Sequence, residues 1–399
     1  MIDSLSQKLE EDIKELMLRN RRVSGVYQYT VPSPEAYPYQ WLWDSCFHAL
    51  ILSHFSLEDA KKEILSLVSK QLANGLVPHI IYWEKHEAIN INWGTEGTSS
   101  ITQPPMIAYA AWRIFEKDGD LNFLKKIYPN LFHYYKYLIN ERDPHEKHLI
   151  GILNPDESGE DDSPRFDISL GLPPNQSASD NFSRRLKLVK ENEDCRFDAP
   201  FCMRNFFWVK DVPFNSIIVE NLRCLSLIAG KLEKTEDAAY FSQKSEDIIG
   251  GMRRFMLEDG LFWSAYGADY KHIKTKTWAI FAPLFARILT QDEAGLLVEK
   301  HLTNPKEFLA AYSVPTVSLD EPSFNPNGFW RGPVWMATNW FLFKGLINYG
   351  FNERANIIKE NSIRLLETAG FRERFNPLTG EGIGAKNFTW GGLVIDMRP

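Results

Sequence analysis

The chain has 399 residues and is rich in aromatic side chains, with 12 Trp, 15 Tyr and 26 Phe. Its formal net charge of -7 argues against nucleic acid or an anionic membrane surface as the main partner. No apolar run reaches membrane-spanning length and the charged N-terminus does not resemble a secretory signal, so we expect a cytoplasmic protein.

The spacing of cysteines and histidines gives no sign of a bound metal. Cys46, Cys195, Cys202 and Cys224 form no CxxC pair, so we expect four small buried thiols in a reducing compartment. The sequence also lacks a GxGxxG turn, a Walker A loop and a GxSxG elbow. We therefore expect no cofactor and no metal, and neither nucleotide-dependent nor serine-hydrolase chemistry.

Apolar residues recur at helical spacing almost wherever the sequence is periodic. Capping signals at 56–59, 235–238 and 290–293 support three of the helix starts. The predicted helical spans are 1–20, 45–54, 57–73, 104–117, 121–141, 213–230, 236–257, 278–289, 291–302, 334–349 and 353–369. Strand-like alternation is scarce, and short β segments are expected only at 76–83 and 261–266.

Loops that combine polar and aromatic residues recur about 40 to 70 residues apart, which leaves one helical hairpin between successive loops. Hairpins arranged in a ring would bring these loops to one face. We therefore predict an all-α toroid with long active-site loops and a pocket at that face, formed by a single domain over 1–399. The longest irregular region, about 168–211, is predicted to be a lid or binding loop within that domain.

A dense run of carboxylates lies in the segment 151–167, whose sequence is GILNPDESGEDDSPRFD. Asp161 stands between Glu160 and Asp162, and Gly159 allows a tight turn just before them. Like charges crowded together raise the pKa of at least one member, which suits a proton donor. A solvated acidic loop explains the run equally well, whereas its glycine offset does not fit an EF-hand calcium loop.

Glu373 begins a second unusual segment near the C-terminus, ERFNPLTGEG at 373–382. On its own it would be an ordinary surface glutamate. Together with Asp161 it supplies the two carboxyl groups that glycoside hydrolysis requires, one to protonate the leaving oxygen and one to act from the other side of the sugar.

Aromatic clusters interleaved with polar residues predict a sugar pocket, because tryptophan faces stack on pyranose rings and polar side chains bind hydroxyl groups. Gln103 is a further polar residue at a predicted helix start. Arg331 is a candidate clamp for a carboxylate. The two clusters are 37–45, with Tyr37, Gln40, Trp41, Trp43 and Asp44, and 329–335, with Phe329, Trp330, Arg331 and Trp335.

Two other classes stay open at this point. A sugar epimerase or isomerase would use the same toroid, but such chemistry commonly relies on a histidine base and the nine histidines are poorly placed. A non-catalytic sugar-binding protein would leave the pair of carboxylate loops unexplained.

Several of these segments, in the same order along the chain, resemble glycoside hydrolase family 63 and its trehalase relatives, and most closely the short bacterial mannosylglycerate and glucosylglycerate hydrolases. The likeness spans about residues 24 to 396. The matching segments are YQWLWDS, SSITQPP, ESGEDDSPRFD, DVPFNS, FWRGPVW, ERFNPLTGEG and NFTW.

The resemblance implies an (α/α)6 barrel and hydrolysis of a small α-glucoside or α-mannoside with inversion at the anomeric carbon. It implies that Asp161 is the general acid and that Glu373 is the general base that activates water. A small sugar is the implied partner, with a glycosylglycerate as the first choice and a neutral disaccharide as the alternative. The oligomeric state stays open. The residues that the resemblance assigns to the sugar pocket are Tyr37, Gln40, Trp41, Trp43, Asp44, Gln103, Gly159, Trp330 and Trp335.

The sequence departs from the family pattern around the acid. Asp156 stands where relatives often have Trp, Glu160 replaces an apolar residue and Asp162 replaces Asn, so a more negative site is expected. Phe329 stands where relatives usually have Tyr. An anionic leaving group would then need a compensating cation, for which the candidates are Arg184, Arg185, Arg196 and Arg204.

Overall fold

The computed structural model describes residues 5–84, 93–174 and 176–398, and its regular structure is mainly helical. The first four residues of the predicted span 1–20 lie outside this part. The helices are α1 Gln7–Asn20, α2 Leu42–Leu52, α3 Leu57–Val68, α4 Ile107–Asp118, α5 Leu121–Glu141, α6 Asp167–Leu170, α7 Ala178–Asp194, α8 Ala199–Asn205, α9 Val212–Lys231, α10 Thr235–Phe255, α11 Ala282–Phe285, α12 Gln291–Leu297, α13 Met336–Asn348 and α14 Asn352–Ala369.

Six inner segments close a ring. α2 packs on α4, α4 on α9, α9 on α11 and α11 on α13, and the 3-10 helix Thr389–Asp396 packs on both α13 and α2. Further helices lie outside this ring: α3 packs on α2 and α4, α5 on α4 and α9, α10 on α9, and α14 on α13. The result is a helical toroid with an inner and an outer layer.

The sequence of each helix matches its layer. Every residue of α2 is buried, as expected for a helix surrounded by other helices. α9 is long and apolar enough to cross a membrane by composition, but 83% of its most apolar window is buried inside the protein. It is therefore a core helix. The cytoplasmic location stays a prediction.

The strands are short and form small antiparallel sheets among the loops. The predicted segment 76–83 contains only β4, and 261–266 contains β7 and β8. The hairpins β1–β2 and β10–β11 were not predicted. The strands are β1 Arg21–Ser24, β2 Tyr27–Thr30, β3 Gln40–Trp41, β4 Ile80–Ile81, β5 Val209–Lys210, β6 Leu257–Glu258, β7 Leu261–Phe262, β8 Ala265–Tyr266, β9 Lys271–His272, β10 Arg372–Phe375 and β11 Gly382–Lys386.

The region 168–211 was predicted to be irregular, and that prediction is wrong. It contains helices α7 and α8. α7 begins with a capping box, in which Ser177 and Asp180 each accept the other's backbone N–H. Its few buried residues include Leu188 and Val189, and most of its surface is polar. The apolar periodicity of this segment is therefore too weak to predict a helix from the sequence.

The prediction of four free thiols is wrong for two cysteines. Cys195 and Cys202 form a disulfide that joins the end of α7 to α8. Arg196 and Phe197 both adopt positive φ angles, which turns the chain back and brings the two Cα atoms to 6.3 Å. Cys46 and Cys224 are free and buried, as expected.

Candidate active site

The loops at one end of the ring surround a cavity of about 460 Å³, a size that suits a small ligand. The residues that line it are Pro32, Tyr37, Trp41, Trp43, Asp44, His79, Tyr82, Trp93, Gln103, Asp156, Gly159, Asp161, Phe182, Arg185, Leu186, Phe329, Trp330, Trp335, Glu373, Phe388 and Trp390. All of the predicted site residues are among them except Gln40 and Arg331.

Gln40 lies beneath the cavity wall and not in it. Its side-chain amide donates to Ser45 (3.0 Å) and Ser66 (2.9 Å), and its carbonyl oxygen accepts from Trp83 at 2.8 Å. The side chain is fully buried and engaged with the protein. In a strand only alternate side chains face the same way, and its neighbour Trp41 is the residue that lines the cavity.

Arg331 is a carboxylate clamp, but for carboxylates of the protein. Its Nη2 donates to Asp167 Oδ1 at 2.6 Å and its Nε to Asp162 Oδ1 at 3.2 Å. The side chain ties the loop before α13 to the acidic loop, and it does not line the cavity.

The acidic loop is neutralised residue by residue. Glu157 forms a two-pronged ion pair with Arg142 (2.8 and 2.7 Å), and Glu160 forms one with Arg165 (2.7 and 2.9 Å). Asp162 has Arg331, as described above. The loop is therefore neither a solvated acidic surface nor the source of a strongly negative site, and Asp161 is the member of the 160–162 run that lines the cavity.

The carboxyl group of Asp161 is an unusual acid. Burial raises its pKa to about 7, and the charges of Asp156 and Asp162 push the pKa in the same direction. Arg185 of α7, which forms an ion pair with Asp161, opposes this shift. The crowding of like charges foreseen from the sequence does act on Asp161, but it is secondary to burial.

Glu373 has a very different environment. It lies on β10 where the register with β11 shifts, and such a bulge can re-aim a side chain. Its Oε1 accepts from the Tyr37 hydroxyl at 2.6 Å, and its Oε2 accepts from Arg374 Nη1 at 2.7 Å and from the Ala385 N–H at 3.1 Å. Three donors thus surround a carboxylate that is only 4% exposed.

Tyr37 interacts with both carboxyl groups. Its hydroxyl donates to Glu373, and the negative charge of Asp161 contributes to raising the pKa of the phenol, after burial and Glu373. The phenol therefore stays protonated and keeps donating its hydrogen bond.

Tryptophans form the walls of the cavity. Trp330 stacks on Trp335 with ring centres 3.9 Å apart and an interplanar angle of 7°. Trp43 packs directly against Gly159, where a Cβ atom would lie 2.4 Å from the indole ring. Gly159 also has φ +73°, so both its backbone and its surroundings favour glycine.

Asp44 adds a third buried carboxyl group, in the first turn of α2. One oxygen accepts from Trp390 Nε1 at 2.7 Å. Burial raises the pKa of Asp44 to about 6. With Gln103 nearby in the lining, it offers polar atoms to the hydroxyl groups of a sugar.

Sequence reasoning missed part of the lining. His79, Tyr82 and Trp93 come from segments with no catalytic signal, and Phe182 and Leu186 belong to the unpredicted helix α7. Arg185 was one of four candidate cations. It is the only arginine or lysine among the lining residues that the structure describes, whereas Arg184, Arg196 and Arg204 do not line the cavity.

The arrangement suits acid–base chemistry on a sugar. One carboxyl group has a pKa near neutrality and can hold a proton, while the other accepts hydrogen bonds from three donors that fix its orientation. Within the described ranges, no group of three His, Cys, Asp or Glu residues has the arrangement of a metal site.

Comparisons with known proteins agree with this chemistry. The model of the mannosylglycerate hydrolase MGH1-like glycoside hydrolase domain matches residues 37–391. A mannosylglycerate hydrolase of Thermus thermophilus is 33% identical over 95% of this chain and 98% of its own. A glucosylglycerate hydrolase of Mycolicibacterium hassiacum is 29% identical over 92% of this chain and 93% of its own.

Solved structures give the same result. The crystal structure of a family 63 mannosylglycerate hydrolase from Thermus thermophilus in complex with Tris and D-glycerate has a TM-score of 0.89 and 32% identity, and covers 98% of this chain and 99% of its own. Neutral trehalase Nth1 from Saccharomyces cerevisiae matches with a TM-score of 0.66 and 15% identity, over 93% of this chain and 73% of its own, which shows likeness of fold alone. The (α/α)6 toroid predicted from the sequence is confirmed.

Proposed function

This chain belongs to the MGH1-like family of glycoside hydrolases, and we propose that its substrate is a glycosylglycerate, in which an α-mannosyl or α-glucosyl residue is linked to O2 of glycerate. Family membership makes the protein a hydrolase of O-glycosyl bonds. The substrate is suggested by the names of its relatives, which act on mannosylglycerate or glucosylglycerate.

The contrast between Asp161 and Glu373 within one cavity carries the proposed mechanism. Asp161, with a pKa raised to about 7, protonates the glycosidic oxygen as the bond breaks. Glu373 accepts a proton from a water molecule, which attacks the anomeric carbon. Tyr37 and Arg374 orient the Glu373 carboxylate for this step.

In this mechanism water attacks from the face opposite to the leaving group, so the product has inverted configuration. An inverting pair needs about 6.5–9.5 Å between its carboxyl groups, enough for one water molecule and the sugar. The tryptophan walls hold the sugar ring, and Asp44 and Gln103 bind its hydroxyl groups. Arg185 supplies positive charge for the glycerate carboxylate.

A panel of substrates tests the proposal. Purified protein is incubated with 2-O-α-mannosylglycerate, 2-O-α-glucosylglycerate and trehalose, and free sugar and glycerate are measured. We expect release from at least one glycosylglycerate and little from trehalose. Efficient hydrolysis of trehalose alone, or release of an isomerised sugar without hydrolysis, would contradict the proposal.

Three variants test the assignment of residues. Asp161→Asn and Glu373→Gln are each expected to lower kcat by about 10²–10⁴-fold while the protein stays folded. Glu381→Gln is the matched control, because Glu381 is an exposed glutamate in the turn between β10 and β11 and is expected to keep full activity. Near-complete activity in either of the first two variants would show that its assignment is wrong.

A further inference from the structure

Arg185 holds two carboxylates of the cavity with one nitrogen. Its Nη1 donates to Asp156 Oδ1 at 2.8 Å and contacts Asp161 Oδ2 in an ion pair. Its Nε donates to Asn181 Oδ1 at 3.0 Å, which fixes the base of the guanidinium on α7. Its Nη2 makes no hydrogen bond to any residue that the structure describes. The guanidinium therefore has a donor left for a ligand.

Two lining carboxylates share one cation. Asp156 and Asp161 both pair with Arg185, the single arginine or lysine in the described lining, whereas Glu373 has Arg374. Asp156 Oδ2 is buried and accepts no hydrogen bond within the described ranges. An anionic ligand entering the cavity would have to share Arg185 with Asp156 and Asp161, which already form ion pairs with it.

This sharing has a consequence for the proton of Asp161. An arginine in contact with a carboxylate stabilises its ionised form, and the ion pair with Arg185 does lower the pKa of Asp161 against the effect of burial. The contact with Arg185 thus favours the state of Asp161 that cannot donate a proton.

We propose that the carboxylate of an anionic leaving group takes Arg185 from Asp161, and that the charge of the substrate thereby makes Asp161 competent as a proton donor. Asp156 and Asn181 keep the guanidinium in the cavity while its donors turn to the substrate. Asp161, now without its counterion and close to a further negative charge, takes up a proton from solvent and delivers it to the glycosidic oxygen. Arg185 is then a residue that determines specificity through kcat as well as through binding.

The groups that face Asp161 come from several elements. Asp156 and Asp162 belong to its own loop, Arg185 comes from α7, Tyr37 precedes β3, and Glu373 on β10 lines the same cavity. The charges of Asp156 and Asp162 favour protonation of Asp161. Arg185 is the group that opposes it and that an anionic ligand can engage.

The inference rests on the proposed function, and its test compares an anionic substrate with a neutral one. One is the glycosylglycerate that the wild-type protein hydrolyses, and the other is the same glycoside with a hydroxymethyl group in place of the carboxylate. In the wild type, kcat is followed against pH for both. The loss of activity at high pH should occur about one pH unit higher with the anionic substrate than with the neutral one.

Arg185→Met is the decisive variant, with Arg184→Met as its matched control. Arg184 is the preceding residue on α7 and binds the Leu170 carbonyl and Glu191 instead of the cavity. In Arg185→Met, kcat/KM on the anionic substrate should fall roughly 10- to 100-fold. On the neutral substrate it should not fall, and its alkaline limb should move to higher pH. Arg185→Lys, which keeps the charge, should restore part of the anionic rate.

The alternatives give different results. Equal losses on both substrates with unmoved pH limbs would make Arg185 a merely structural residue. A loss on the anionic substrate alone, with the same alkaline limb on the neutral one, would show binding of the carboxylate without control of Asp161. Either result would overturn the inference. A wild-type protein that hydrolyses neither substrate would instead refute the proposed function.

Discussion

The hydroxyl of Tyr37 donates a 2.6 Å hydrogen bond to Oε1 of Glu373, across 336 positions of sequence. It is one of three donors to this carboxylate, and the only phenol. Because burial and the charge of Glu373 raise the pKa of Tyr37 well above its usual range, the proton stays on the phenol. The phenol therefore remains a donor that orients the Glu373 carboxylate.

Tyr37→Phe removes this hydrogen bond and keeps the ring that packs edge-on against Phe388 and Trp41. A hydrogen bond to a charged group is worth about 1.5–3 kcal/mol, so we expect kcat to fall about 10- to 100-fold. KM should change little if the hydroxyl acts through Glu373. Steady-state kinetics measures kcat and KM. An unchanged kcat in the variant would show that Tyr37 does not orient Glu373 for catalysis.

The pH dependence of kcat/KM follows from Asp161. Its pKa is raised to about 7, so the carboxyl group is protonated below that pH and loses its proton as the pH rises through it. A general acid is active only when protonated, so kcat/KM should fall on the alkaline side of about pH 7. Tryptophan fluorescence at each pH controls for unfolding. A rate that stays constant from about pH 6 to 9 would exclude Asp161 as the acid.

Gly159 and Gly171 form a matched pair. Both have left-handed backbones, with φ +73° and +70°, but only at Gly159 would a Cβ atom meet the ring of Trp43. Gly171→Ala should cost about 1–2 kcal/mol of unfolding free energy from the backbone alone. Gly159→Ala should cost about 2–5 kcal/mol, because the added methyl group also displaces Trp43. Urea denaturation compares them, and equal losses would contradict this packing.

Arg331→Met tests whether Arg331 stabilises the fold. The sequence had instead predicted that Arg331 binds a carboxylate of the substrate. The change leaves Asp162 and Asp167 buried without their shared cation, which should destabilise the protein by about 3–5 kcal/mol. Arg398→Met, which removes a solvent-exposed pair with Glu10, should cost about 0–1 kcal/mol. The folded fraction of Arg331→Met should keep the wild-type KM for a glycosylglycerate. A large rise in KM without loss of stability would show that Arg331 binds the substrate, as the sequence had predicted.

Much of the fold was predictable because it depends on local patterns. The span 121–141 coincides with α5, and 213–230 and 353–369 agree with α9 and α14 within one residue at each end. These helices carry clear apolar faces. The span 278–289 instead contains a 3-10 helix and the four-residue α11. Pro283 lies in the first turn of α11, and Arg287, just beyond its end, has a positive φ angle that a helix cannot continue through. Helix α7 was not predicted, because most of its residues are polar and its apolar residues show no clear helical periodicity.

The lining of the cavity was predictable where the sequence has a local signature, as at Trp41, Trp43, Asp161 and Glu373. The pairing of charges was not predictable. Arg142, Arg165 and Arg331 each neutralise a carboxylate of the acidic loop, and these partners lie from 5 to 169 positions away. A run of acidic residues therefore appeared more negative in sequence than it is in the fold.

The configuration of the first sugar released reports how the two carboxyl groups act on the substrate. Proton NMR follows the reaction of the wild-type enzyme with the α-glycosylglycerate that it hydrolyses, at enzyme concentrations that outpace mutarotation. If Asp161 donates a proton while Glu373 activates water, the β-anomer appears first and the α-anomer follows by mutarotation. Initial formation of the α-anomer would mean retention, and would contradict the assignment of Glu373 as a base acting on water.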